Sequence, residues 1–254
     1  MTPRFNRTTT IVLAFLAVVG FWLTGMGEAL AQSLTLDLGG ATGSTTARMF
    51  QLIALTTILS IAPSILMMVT SFTRIVVVLH FVRQAIGTQT TPPNMVMMSL
   101  AVFLTFYIMA PVFTQAYNDG IAPLMNGDID EMTAFDLVVV PFHNFMMTHV
   151  HENALSLFMD LSNSPPPATP EQTPLQALIP AFMVSELKRA FEIGFLLYIP
   201  FIIIDMTIAS VLMSMGMMML PPIMIAMPFK IIFFVLVDGW LLLAGSLVRS
   251  FGGP

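Results

Sequence analysis

The sequence predicts an all-α membrane protein, built as two long kinked helical hairpins with a periplasmic helical insertion between them. Three observations carry that expectation. The 254 residues are 56% hydrophobic and only 9% charged, at mean hydropathy +0.87, where a soluble domain carries about a quarter charged residues. The apolar residues gather in long runs with few or no charges, at 49–72, 95–117, 191–215 and 231–248, so the units are membrane-length helices rather than strands. Between the second and third runs, residues 118–187 carry nine of the fourteen acidic residues and none of the nine Lys and Arg.

Residues 1–31 read as a cleavable signal peptide, with Arg4 and Arg7 before an apolar stretch at 11–24 and Ala29-Leu30-Ala31 as the cleavage site. A bacterial envelope protein follows from it. Residues 32–47 form a short polar mature N-terminus with Gly39, Gly40 and Gly43. The first hairpin is expected over 48–117. Its run 49–72 spans about 36 Å as a helix, enough for a hydrocarbon core of about 30 Å, and Pro63 should kink it. Gly87, Pro92 and Pro93 separate its arms. Residues 118–187 form the acidic periplasmic segment, with helical apolar spacing at 141–161 and a proline-rich linker at 164–174. Residues 188–254 form the second hairpin. Cleavage leaves the mature N-terminus outside, and Arg74, Arg83 and Lys230 then mark cytoplasmic turns. Lys188 and Arg189 fall on the opposite side, against the rule.

The turn of the second hairpin is the least ordinary stretch. Residues 213–230, MSMGMMMLPPIMIAMPFK, place seven methionines, one glycine and three prolines inside membrane-grade sequence. Gly216, Pro221 and Pro222 should break the helix there, and broken backbone at membrane depth is tolerated only inside protein or along a cavity. Methionine side chains are flexible and polarizable, suited to a surface that adapts to its contacts.

Ionisable groups inside apolar segments must face protein or water and find partners. Arg74, Arg83, Glu186, Asp205, Lys230 and Asp238 are candidates for such buried charges. Lys230 and Asp238 share a face if their helix is continuous, and Asp205 can reach Lys230 across the hairpin. On one helix, Glu186 can pair with Arg189, and Lys188 with Glu192. Buried pairs that fix packing are the favoured reading, and a proton relay is the alternative.

The chain excludes several classes of function. It has no cysteine, hence neither disulfides nor thiolate metal sites, and no basic cluster for nucleic acid. His143, His149 and His151 stand near Glu152, but two-residue spacing points helical side chains apart. A solvated helix face is therefore expected, with no metal. Nucleophile elbow, phosphate loop and dinucleotide fingerprint are all missing, so no enzyme and no cofactor are expected.

The segment 67–94, MMVTSFTRIVVVLHFVRQAIGTQTTPPN, and the block 179–240, from IPAFMVSELKRAFEIGFLLYIPF to MGMMMLPPIMIAMPFKIIFFVLVDGW, resemble the FliP family of flagellar type III export-gate proteins. The resemblance implies several copies, a pentamer, assembled with FliQ and FliR into a helical cone in the inner membrane at the flagellar basal body. Much of that cone would lie above the plane that hydropathy assigns. FlhA and FlhB would be neighbours, and unfolded flagellar proteins the cargo. The family's methionine gasket falls on Met217, Met218 and Met219, and its buried charges on Glu186, Asp205 and Lys230. One departure stands out: where the family carries a Thr-Arg-Glu-Lys-Asp run, this chain has Val150, His151, Glu152, Asn153 and Ala154. A proton-coupled secondary transporter using Asp205 and Lys230, or a structural scaffold of the basal body, are the competing functions.

Overall fold

The structure, a computed structural model, describes residues 45–88, 90–162, 169–217 and 221–252. The expected signal peptide and most of the polar N-terminus lie outside these residues, as do Met218 and Met219. Among the described residues all regular structure is helical. Helix α1 is Thr45–Met68, and its part up to Ile58 belongs to a unit distinct from Leu59–Pro254. The helix runs through Pro63 and ends only at Met68. The chain breaks instead at Val69–Ser71, where the Phe72 amide donates to the Thr70 hydroxyl at 3.4 Å and opens α2, Phe72–Ile86.

Helix α2 is the centre of the second unit. Ile75, Val78, Leu79 and Val82 are all but inaccessible, at the spacing that stacks side chains on one helical face. They pack against Met97 and Ala101 of α3, Asn94–Ala116, and against Ala190 and Phe201 of α7, Leu175–Ser214. Gly87, at φ 89°, closes α2 with its amide on the Gln84 carbonyl.

Helix α3 continues through a π-turn, Tyr117–Ile121, into α4, Ala122–Asn126. Gly120 sits in that turn, where a Cβ would lie 2.5 Å from Val138 Cγ2 and 3.0 Å from the Ala134 carbonyl oxygen. The missing side chain lets α5, Glu131–His149, cross against it. After α6, Glu152–Leu161, the chain enters α7, whose forty residues span about 60 Å, roughly twice a bilayer core. The helices α8, Pro222–Leu236, and α9, Gly239–Arg249, meet at a 63° bend.

By length and composition Asn94–Asn126 and Leu175–Ser214 can each cross a membrane. Two bent pairs, Leu52–Met68 with Phe72–Ile86 and α8 with α9, qualify if each is one span. Interruption is thus present in both halves, at Thr70–Ser71 and at Val237–Asp238. From the sequence a break is expected at Gly216, Pro221 and Pro222 and none at Thr70–Ser71 or Val237–Asp238.

Gly194 of α7 faces the Phe81 ring of α2, with a notional Cβ 2.5 Å from Cδ2 and 2.7 Å from Cγ. These are atoms at the root of the ring, which cannot swing aside. Gly194→Ala should destabilise the α2–α7 contact by about 1–3 kcal/mol, measured as a lowered melting temperature of the purified protein in detergent. An unchanged melting temperature would show that this close approach carries no weight.

Candidate functional site

The α2–α7 contact contains a fully buried ion pair. Arg74 Nε donates to Glu186 Oε2 at 2.8 Å and Nη2 to Oε1 at 2.5 Å, and both side chains are 0% exposed. The planar guanidinium suits this two-pronged geometry. Its remaining nitrogen, Nη1, donates to the carbonyl and hydroxyl oxygens of Ser250, both at 3.0 Å. The guanidinium carbon also stands 3.6 Å from the centre of the Phe251 ring. Glu186 therefore pairs with Arg74 on another helix, and not with Arg189 three residues on. Sequence spacing offers only partners on the same helix, and the packing of α2 along α7 supplies a better one. The tie to Ser250 and Phe251 had no signal in the sequence.

A second pair lies further along the same helix. Lys230 Nζ of α8 donates to Asp205 Oδ2 of α7 at 2.5 Å, with the lysine 5% and the aspartate 30% exposed. Asp205 Oδ1 is buried without a hydrogen-bond partner. Lys230 does not share a continuous helix with Asp238, because α8 ends between them. Asp238 adopts φ 51°, ψ 45° as the residue preceding α9, a left-handed conformation that aspartate tolerates better than most. It is exposed, not buried as the sequence suggested. Arg83 is only half-buried and bonds to neutral groups: the Asn94 side chain, the Pro92 carbonyl and His80. Lys188 and Glu192, both well exposed, approach to 3.9 Å.

Between α7 and α8 the backbone turns at Gly216, whose φ is 71°. Its amide donates to the Met213 carbonyl and that of Met217 to the Leu212 carbonyl, a helix-closing pattern that only glycine adopts without strain. Pro221 precedes α8 and Pro222 is its first residue, where a missing N–H costs nothing. Met217 is 43% exposed, and Met213 and Met215 are exposed more.

The histidines do not form a solvated face. His143 is buried, with Nε2 donating to the Thr173 carbonyl at 2.9 Å. His149 Nδ1 donates to the Phe145 carbonyl at 2.8 Å, and its ring lies against Phe145 and Phe251. His151 is half-buried at the start of α6, its amide donating to Ser185 Oγ of α7. The three separate because α5 ends at His149 and each is held by a different neighbour: His143 by the Thr173 carbonyl, His149 by Phe145 and Phe251, His151 by Ser185. Burial holds the His149 imidazolium below its ordinary pKa, with lesser effects from the Phe145 carbonyl, Glu186, Arg74 and Arg189.

These features define a helical membrane protein whose long apolar helices are pinned by buried ion pairs and interrupted by one methionine-rich turn. The FliP family model matches residues 55–247. Relatives include the flagellar biosynthetic protein FliP of Caulobacter vibrioides, 57% identical over 224 residues, covering 88% of this chain and 84% of that protein. The protein of that name from Rhizobium meliloti is 46% identical over 96% of this chain and 99% of its own length. That from Bacillus subtilis is 51% identical over 79% and 91%. The chain belongs to the FliP family.

Two outcomes are expected. Glu186→Ala strands a buried guanidinium and should cost about 3–5 kcal/mol, while Arg74→Met with Glu186→Leu should recover most of it; thermal melting in detergent measures both. His149 is stabilised in its neutral form, so its contribution is complete above the unfolded pKa of about 6.5 and declines as pH falls below it. Protease protection of the C-terminal residues should weaken at pH 5 relative to pH 8, and His149→Phe should flatten that dependence.

Proposed function

We propose that this chain is the core subunit of a flagellar type III protein export gate. Several copies, a pentamer by family resemblance, would combine with FliQ and FliR in a helical cone. FlhA and FlhB would be its neighbours in the inner membrane. Unfolded flagellar proteins would pass through a central pore, sealed by a gasket of Met217, Met218 and Met219.

The observation that carries this reading is the turn between α7 and α8. Two long apolar helices are joined there by glycine and proline geometry that leaves Met217 exposed, with Met213 and Met215 beside it. Apolar constrictions close pores by expelling water. Methionine's freely rotating thioether yields to many shapes, so such a ring both seals and deforms. The exposed apolar residues of α8, Ile223, Met224 and Phe229, also suit burial against neighbouring subunits.

The proton-coupled reading draws on one observation, the unpartnered Asp205 Oδ1 beside Lys230. The close ion pair and the nearly buried lysine favour a packing role instead.

Replacing Met217, Met218 and Met219 with alanine should raise small-ion leakage through the assembled complex in bilayer recordings while leaving assembly intact. Unchanged conductance would refute the gasket and favour a scaffold. Neutralising Asp205 and Lys230 together, as Asp205→Asn with Lys230→Met, should preserve export, read as secreted flagellin. Loss of export from a normally assembled complex would point to a relay.

A further inference from the structure

The in-chain ion pairs account for Arg74, Glu186, Asp205 and Lys230. On the apolar helices, Arg83, Arg189, Asp238 and Arg249 have no opposite charge among the described residues. Arg189, three residues past Glu186, and Arg249, beside Ser250, lie next to the Arg74 contact, which leaves Asp238 and Arg83 away from it. The exposed Asp238 carboxylate makes no side-chain hydrogen bond. The Arg83 guanidinium meets only an amide, a backbone carbonyl and a histidine. An ionised group at an apolar helix must find water or a partner.

The two charges also lie in one layer of the molecule. Arg74 fixes the register, because it binds Ser250 directly. Arg83 stands nine residues further along α2, and Asp238 twelve residues back along α9 and its leading turn. At 1.5 Å per residue these are about 14 and 18 Å from the same contact. Val82, adjacent to Arg83, and Val237 and Gly239, flanking Asp238, line a single apolar cavity of 440 Å³. That cavity supplies no counter-charge to either. Arg249, the one cation of α9, lies at the far end of that helix from Asp238, its Nε on the Gly245 carbonyl.

We propose that Asp238 of one copy pairs with Arg83 of the next copy of this chain. The occupant is assigned by charge complementarity at matched depth: each copy offers one unpaired anion and one unpaired cation in the same layer. Because the two groups stand on different helices and are not the same residue, a contact between Asp238 of one copy and Arg83 of the next is head-to-tail, and it repeats from copy to copy around a ring or a helix. The left-handed backbone at Asp238 fits this role. It separates α8 from α9 at a residue that is exposed. The inference rests on the multi-copy reading above and adds the residues that join the copies.

The test exploits the absence of cysteine from the chain. Full-length protein carrying Asp238→Cys and Arg83→Cys is expressed with its native partners in a flagellated host, and the membranes are treated with an oxidant. A ladder of dimers and higher species should form, with no ladder beyond a dimer from either single variant. Only a fast-migrating monomer, whose disulfide lies within one chain, or free thiols throughout, would overturn the pairing. A charge exchange guards against misplaced cysteines. Asp238→Arg and Arg83→Asp should each lower the recovered oligomer about tenfold, and the two together should restore it. Single reversals that leave the oligomer intact would overturn the proposal equally. Co-purification of tagged with untagged wild-type copies separates the two readings. If copies do not associate at all, the multi-copy reading fails. If they associate without the crosslink, only the Asp238–Arg83 contact falls.

Discussion

The buried pair of Arg74 and Glu186 constrains the rest of the molecule. Both side chains are wholly inaccessible, so neither charge can turn to water if the other moves. Desolvating two such ions costs several kcal/mol each, offset only when geometry is close and every donor is used. Here four donor contacts and an aromatic face surround one guanidinium. Three separate parts of the chain must therefore arrive together: α2, α7 and the residues that follow α9. An apolar core alone would let α2 slide along α7 with little penalty, because Val, Ile and Leu ridges fit at several offsets. A two-pronged pair admits one offset.

From that register the remaining contacts follow. Running parallel from Arg74 and Glu186, α2 and α7 bring Phe81 against Gly194, where only a glycine leaves room for the ring. Further along α7 comes Asp205, and α8 descends beside it so that Lys230 closes the second pair. The return through α9 ends at Ser250, again on Arg74. The chain thus closes a loop on its own first ion pair. The ends of this loop are where polar residues interrupt apolar helices: Thr70 and Ser71 before α2, Asp238 before α9.

The helical class, the apolar runs and the Asp205–Lys230 pair were legible in the sequence, because hydropathy and charge are local quantities and a hairpin has few ways to match two lone charges. Glu186 was legible as a buried charge, but its partner was not. Residue spacing enumerates neighbours on one helix and is blind to the parallel packing that delivers Arg74. Asp238 misled for a related reason. Its shared face with Lys230 held only for a continuous helix, and the Asp238-Gly239 pair that marks the break was not read as a turn. His143 and His149 looked like solvent-facing polar residues, whereas the Thr173 carbonyl holds the first in the interior and aromatic neighbours make the second part of the packing. Gly216, Pro221 and Pro222 were the easiest to read, since their backbone preferences hold regardless of tertiary context.

The charges also sort by when they can be satisfied. Arg74 with Glu186 and Lys230 with Asp205 close within one chain, so a single copy can hold them in a membrane before meeting any other subunit. Asp238 and Arg83 do not close in this way, and an ionised group beside an apolar helix needs water or a partner. On the proposed pairing, a free copy would carry a penalty that association removes. The apolar helix faces push in the same direction only weakly, since lipid tails solvate leucine and methionine as well as protein does. In such a solvent, apolar area gives little preference for assembly over dispersal. A few unpaired charges in one layer can supply that preference together with its register, as the buried pair does within the chain.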